Sequence, residues 1–158
     1  MAIVERVIPA TPEQIFAVLA DGWSYSDWVV GTVHIRSVQD EFPAPGSMLR
    51  HKVGPWPLSL HDNTKIIACD RPRRLAMEAR IRPLGVATVT LEVTAIDERR
   101  SRVTMREEFA AGPLQWIQNK INDLVLHQRN KEALSRLSDL VVGRQRKDST
   151  PRAPAPTA

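Results

Sequence analysis

The 158 residues carry 42% hydrophobic side chains, a formal net charge of +4 and one cysteine, enough for one domain with a real core and no internal disulfide. The charge is unevenly placed: after Val142, Arg144, Arg146, Lys147 and Arg152 stand against Asp148 alone, and the residues before them hold 18 basic and 17 acidic side chains. A body so close to neutral argues against a nucleic-acid-binding surface, and the basicity belongs to a tail.

Ala2 to Ile8 alternates apolar and polar residues and predicts a strand, stopped by Pro9. Its first residues lack the apolar core of a signal peptide, and no apolar run is long enough to span a membrane. With the single Cys69, this gives the expectation of a reducing cytoplasm. Thr11 is placed as a helix N-cap with Pro12 at the first helical position, and Ile15, Phe16, Val18 and Leu19 form the buried side. Asp21 and Gly22 end that helix. Trp23-Ser-Tyr-Ser-Asp-Trp28 then predicts a second short helix or turn, rich in aromatics that either plug the gap between helix and sheet or face a ligand.

Six strands follow. Val33 to Val38, Met48 to Val53 and Leu58 to Ala68 are bounded by turn signals at Pro43–Gly46, Gly54–Pro55 and Asp70–Pro72. Leu75 to Ile81 puts Leu75, Met77, Ala79 and Ile81 on one face. Val89, Leu91 and Val93, and then Val103, Met105 and Phe109, alternate with Thr, Glu and Arg. One apolar and one charged face predicts an antiparallel sheet with a solvated outer side. From Pro113 to Val142 the pattern turns helical, with Gly143 as the expected stop. Ile117, Ile121 and Leu124 lie on one side, and Leu126, Ala133, Leu134, Leu137 and Val141 on the other. We therefore expect a short helix, a cap at Asn122 and a main helix from Asp123 to Val142. Arg144 to Ala158, basic and rich in Pro and Ala, is expected to be disordered, so the domain spans 1–143 and the tail 144–158.

This order, with Ile8-Pro-Ala-Thr-Pro-Glu-Gln-Ile-Phe16, the stretch from Leu19 to Thr32, Asp70-Arg-Pro-Arg-Arg-Leu75, and Arg129-Asn130 with Leu134 and Leu137, resembles the SRPBCC superfamily, which includes START, Bet v 1-like and polyketide cyclase/dehydrase and lipid-transport proteins. The chain looks like a small bacterial member, over about Ile3 to Leu140. The resemblance implies an α+β helix-grip fold: a curved seven-stranded antiparallel sheet around a long C-terminal helix, with two short helices between strands 1 and 2. It also implies an apolar cavity between sheet and helix that holds lipids, polyketides or other hydrophobic molecules. None of the matching stretches is a catalytic motif, so they identify a scaffold and not a reaction.

Within that scaffold the residues give a set of candidates. Trp23 and Trp28 are placed near the cavity mouth. His51 shares the inward parity of Leu49 and Val53, Glu107 that of Val103 and Met105, and Met77 points inward on its own strand. Leu126, Asn130 and Ala133 lie on the buried face of the main helix. The expected ligand-binding set is Trp23, Trp28, His51, Met77, Met105, Leu126, Asn130 and Ala133, with plain core or rim packing the simpler reading of the aromatics, His51, Asn130 and the methionines. His51 and Glu107 are weak candidates for proton transfer. His34, His51, His61 and His127 have no paired ligand spacing, and there is no nucleophile elbow, phosphate loop or Cys-x-x-Cys, so no metal and no cofactor is expected. Three functions stay open: a non-catalytic binder or carrier of a small hydrophobic molecule, favoured by the absence of a clear acid–base pair; a polyketide cyclase or dehydratase; and a protein-partner module. The expected state is a monomer or weak dimer.

Overall fold

The computed structural model describes residues 1–53, 60–81, 85–111 and 120–149. The expected turn at Gly54–Pro55, the helix start at Pro113 with Ile117, and the tail from 150 onward lie outside the described residues. Strand β1 (Ala2–Ile8) leads into α1 (Pro12–Leu19), a short 3-10 turn (Gly22–Ser24) and α2 (Tyr25–Trp28). Then come β2 (Thr32–Val38), β3 (Met48–Val53), β4 (Leu60–Asp70), β5 (Arg74–Ile81), β6 (Gly85–Asp97), β7 (Arg100–Ala111) and the long α3 (Lys120–Ser149). The strands form one curved antiparallel sheet in the order β1-β7-β6-β5-β4-β3-β2, and α3 crosses it: this is the α+β helix-grip arrangement. Register shifts in the β2–β3, β4–β5 and β6–β7 pairs are bulges of the kind that bend a sheet.

Local chemistry fixes the entry to this fold. The Thr11 hydroxyl accepts from the Gln14 N–H at 3.3 Å, and the Gln14 side chain accepts from the Thr11 N–H at 2.9 Å, a reciprocal cap with Pro12 just inside it. Ser101 at the start of β7 donates to the Ala10 carbonyl at 2.8 Å, fastening the turn after β1 to the sheet. Gly22 is where the chain runs closest to β2: an added Cβ would lie 2.7 Å from a Val38 methyl. Gly31, at φ 98°, makes the turn from α2 into β2. The inward residues of the strands, the buried side of α1, and Ala133, Leu134, Leu137 and Val141 of α3 make one core.

Two expectations about the long helix are corrected. It does not restart at Asn122: α3 is continuous from Lys120 through that residue. An Asn inside a helix costs only about 0.7 kcal/mol relative to Ala, too little to divide a long packed helix. Nor does it stop at Gly143; it runs on to Ser149. Gly143 does not take the positive φ of a glycine cap, which is confined to Gly31, Gly46 and Gly85 among the described glycines. The continuation is held by the body: Arg144 Nη2 donates to Asp21 Oδ2 at 2.5 Å, and Gln145 Nε2 donates to the Pro9 carbonyl at 3.2 Å and to Gln14 Oε1 at 2.9 Å. Residues 144–149 are therefore helix and not disordered tail. On the other flank of α3, Leu124 is exposed.

Candidate functional site

Strand alternation carries His51 (β3), Met77 (β5), Met105 and Glu107 (β7) to the inner face of the sheet, and all four are buried. There they meet Trp28 on α2 and Arg129 on α3 around a cavity of about 80 Å³. The turn Val29–Thr32 bounds the same space. Val53 pairs with Leu60, Ile81 with Gly85 and Val86 with Ala111. Hence the connections that follow β3, β5 and β7 all leave from the sheet end at which the cavity lies.

The cavity is apolar in most of its wall and sharply polar at a few points. Met77, Val89 and Glu107 sit side by side on β5, β6 and β7, with Met105 two residues back along β7, opposite Leu91. On the opposite wall His51 pairs with Asp62 across β3 and β4, with Thr64 two residues further on. Burial holds the His51 imidazole below the usual histidine range, against a smaller upward pull from the Leu49 backbone, so it is neutral at physiological pH. Its Nδ1 finds no hydrogen-bond partner among the described residues, and neither does Trp28 Nε1. Glu107, 1% exposed, accepts from Arg129 Nη2 with both oxygens, at 2.7 and 2.9 Å. That carboxylate is committed to an ion pair, which leaves His51 the freer of the two proton-transfer candidates.

The wall formed by α2 is stiff. The Tyr25 and Trp28 rings lie 5.0 Å apart, and Phe42 meets the edge of Tyr25 at 5.6 Å. The Tyr25 hydroxyl donates to the Leu19 carbonyl at 2.8 Å. Burial, with the Cys69 and Asp21 charges adding to it, raises its pKa far above the usual tyrosine value. Tyr25 is thus a fixed strut and not an acid.

Not every candidate reaches the cavity. Trp23 is 59% exposed. Five residues along a helical path rotate it about 140° from Trp28, whereas Tyr25, three residues away, shares the Trp28 face. Leu126, Asn130 and Ala133 are buried on α3 but do not line the cavity. Ala133 belongs to the closed core, and Asn130, fully buried, leaves both side-chain amide atoms without a partner among the described residues. The lining residues that were missed include Tyr25, Asp62, Thr64, Val89 and Arg129. The parity of Ile66 on β4 carries the signal for Asp62 and Thr64, and the helical spacing to Trp28 carries it for Tyr25. No group of three or more His, Cys, Asp or Glu side chains that could hold a metal ion occurs among the described residues.

A curved antiparallel sheet gripping a long helix over a partly polar cavity defines the helix-grip class of folds. Within that class, the family model for polyketide cyclase/dehydrase and lipid transport proteins matches residues 2–142, and the chain belongs to this family. Among solved structures it is similar to the Zhui aromatase/cyclase from Streptomyces sp. R1128 (16% identity, TM-score 0.73, covering 93% of this chain and 96% of that one). It is also similar to a Rhodobacter sphaeroides protein (21%, 0.67, 89% and 91%) and to Ara h 8.0201 (14%, 0.64, 89% and 96%). At these identities the likeness is one of fold. A search of curated proteins found no matching sequence.

Proposed function

We propose that the chain binds a small, mainly apolar molecule in the cavity between the sheet and α3, as a carrier or receptor and not as an enzyme. The observation that carries this reading is the cavity itself, an apolar wall of Met77, Val89 and Met105 interrupted by the polar residues His51, Thr64 and Arg129. A closed core fills such space with side chains; a binding site keeps the space and a few polar groups. Membership of a lipid-transport and cyclase family supports the same direction. No described helix is long and apolar enough to cross a membrane. The near-neutral body favours a monomeric or weakly dimeric binder without a nucleic-acid partner. The test is native mass spectrometry of protein purified from its host, followed by titration with an apolar fluorescent dye while tryptophan emission is followed. Saturable binding, competed by the co-purified compound, supports the reading. No saturable binding across lipids and aromatic polyketides would sink it in favour of a partner module.

A second reading, a cyclase or dehydratase, is favoured by one feature: neutral His51 in the cavity with Asp62 across the strand pair. It requires turnover of a polyketide-like substrate that His51→Gln abolishes without loss of binding.

A further inference from the structure

Away from the cavity, we infer that the outer face of the sheet over β2–β5 is a docking surface for an anionic lipid bilayer. Charge on the outer face is segregated. On the side of β1, β6 and β7 the cations meet carboxylates: Arg102 with Glu5, Arg106 with Glu92, and Arg100 with Asp97. On the other side, the inward burial of Leu49, His51, Asp62, Thr64 and Met77 turns Arg50, Lys52, Asn63, Lys65, Glu78 and Arg80 outward. Arg50 and Arg80 flank Asn63 from its two neighbouring strands. Lys65 follows Asn63 two residues along β4, and Lys52 follows Arg50 two residues along β3. Arg36 sits in the β2 bulge between Ile35 and Ser37, and Ser37 pairs with Arg50. Arg36, Arg50 and Lys65 are exposed and Lys52 is half-buried, and none of them forms an ion pair with a described residue. Glu78 is the one carboxylate among these outward residues, and Arg80 takes it at 3.3 Å. Asp40 and Glu41 lie in the β2–β3 turn, at the far end from Lys52.

Like charges gathered on one sheet face cost stability. With so little carboxylate among them, an external anion is what neutralises these. Shape and hydrophobicity select a bilayer over an acidic protein or a nucleic acid. The sheet curves around α3, so its outer face is convex, and the cations spread across the strands instead of lining a groove. Val33 and Ile67, at the bulges of β2 and β4, are 61% and 48% exposed and border the patch with apolar side chains. Cation and hydrocarbon together are what the headgroup region of an anionic bilayer accepts. The patch also reaches the cavity: Lys52 follows His51, and Thr32 of the cavity wall leads into Val33. This last point rests on the binding reading above, since docking here brings the cavity to the phase in which an apolar ligand dissolves.

The test is co-sedimentation of the full chain with phosphatidylcholine vesicles, with and without a third of the lipid as phosphatidylglycerol. Binding should require the anionic lipid and should vanish at about 1 M NaCl, where charges are screened beyond ~3 Å. Each cation at such a surface is worth roughly fivefold, so Arg50→Gln/Lys52→Gln/Lys65→Gln should bind about a hundredfold more weakly. Arg100→Gln/Arg102→Gln/Arg106→Gln makes the same change in net charge and should bind within about twofold of the native chain. If the first triple variant does not fold, Arg50→Gln and Lys65→Gln decide singly, each at roughly fivefold. Equal loss in the two triple variants would mean that net charge alone attracts the chain, and undiminished binding by the first would place attachment at the basic end of α3. Tighter capture by soluble polyglutamate or DNA than by vesicles, with vesicle binding unmoved by Val33→Ser/Ile67→Ser, would identify an acidic macromolecule. Each of these results overturns the inference. So does an absence of vesicle binding, which leaves the binding reading standing if the apolar dye still binds in lipid-free solution. Vesicle binding without dye binding keeps the docking surface and removes only the cavity reading.

Discussion

His51 and Glu107 show how differently burial treats two ionisable residues on one sheet face. The His51 ring is desolvated by burial and responds by staying neutral; its folded pKa lies below the ordinary 6.5. The unfolded chain therefore binds a proton at a pH where the folded chain does not, so stability rises with pH across that window. The His51 contribution is complete above about pH 6.5 and is lost as pH falls from there toward the folded value. His51→Gln should flatten the difference in urea-unfolding free energy between pH 7 and pH 5; an unchanged slope would show that the ring is not desolvated. Glu107 instead keeps its charge company. Arg129→Met strands a carboxylate that is 1% exposed and should cost about 3 kcal/mol or more. Glu107→Gln leaves behind only an arginine that is 34% exposed and already reaches water, and should cost about 1–2 kcal/mol. The reverse ranking in denaturant titrations would mean that the pair is solvated.

At the scale of the element, α3 shows which part of a helix can be read from its own residues. The phase of Leu126, Asn130, Ala133, Leu134, Leu137 and Val141 places them on one face, and all six are buried. The end of the helix is not legible in this way. Gly143 has the composition of a stop, but the chain continues because Arg144 and Gln145 find Asp21, Pro9 and Gln14, residues more than 120 positions earlier. No local signal encodes such contacts. The same holds for Arg129, whose partner lies 22 residues away on another element. Removing residues 144–158 should lower stability by about 1–2 kcal/mol, the worth of one half-exposed ion pair and two hydrogen bonds, and Tm by a few degrees. Removing only 150–158, rich in Pro and Ala, should leave Tm within about a degree. Equal melting of the two truncations and the full chain would show that the last turns of α3 do not hold α1.

For the whole molecule, period-two alternation made the inner face of the sheet legible: His51, Met77, Met105 and Glu107 all follow from parity. Which inner-face residues border empty space and which close the core depends on how far the sheet curves from the helix, and that is a property of the assembly. Ala133 and Val89 make the distinction measurable. Ala133, 2% exposed and packed in the core, has no room beside it, so Ala133→Phe should cost about 1–3 kcal/mol by overpacking and leave the affinity of the remaining folded protein for an apolar probe unchanged. Val89 lines the cavity between Met77 and Glu107. Val89→Ala should cost about 2 kcal/mol, between the ranges for losing one methyl and for truncating a larger side chain. Because the space it opens adjoins the existing 80 Å³, it should also shift selectivity toward the bulkier of two homologous ligands. Isothermal titration with a ligand pair differing by one methylene reads this directly. Tighter binding of the larger member by Val89→Ala, and not by Ala133→Phe, marks the boundary between cavity and core on the inner face of the sheet; the same selectivity in both variants would place that boundary elsewhere.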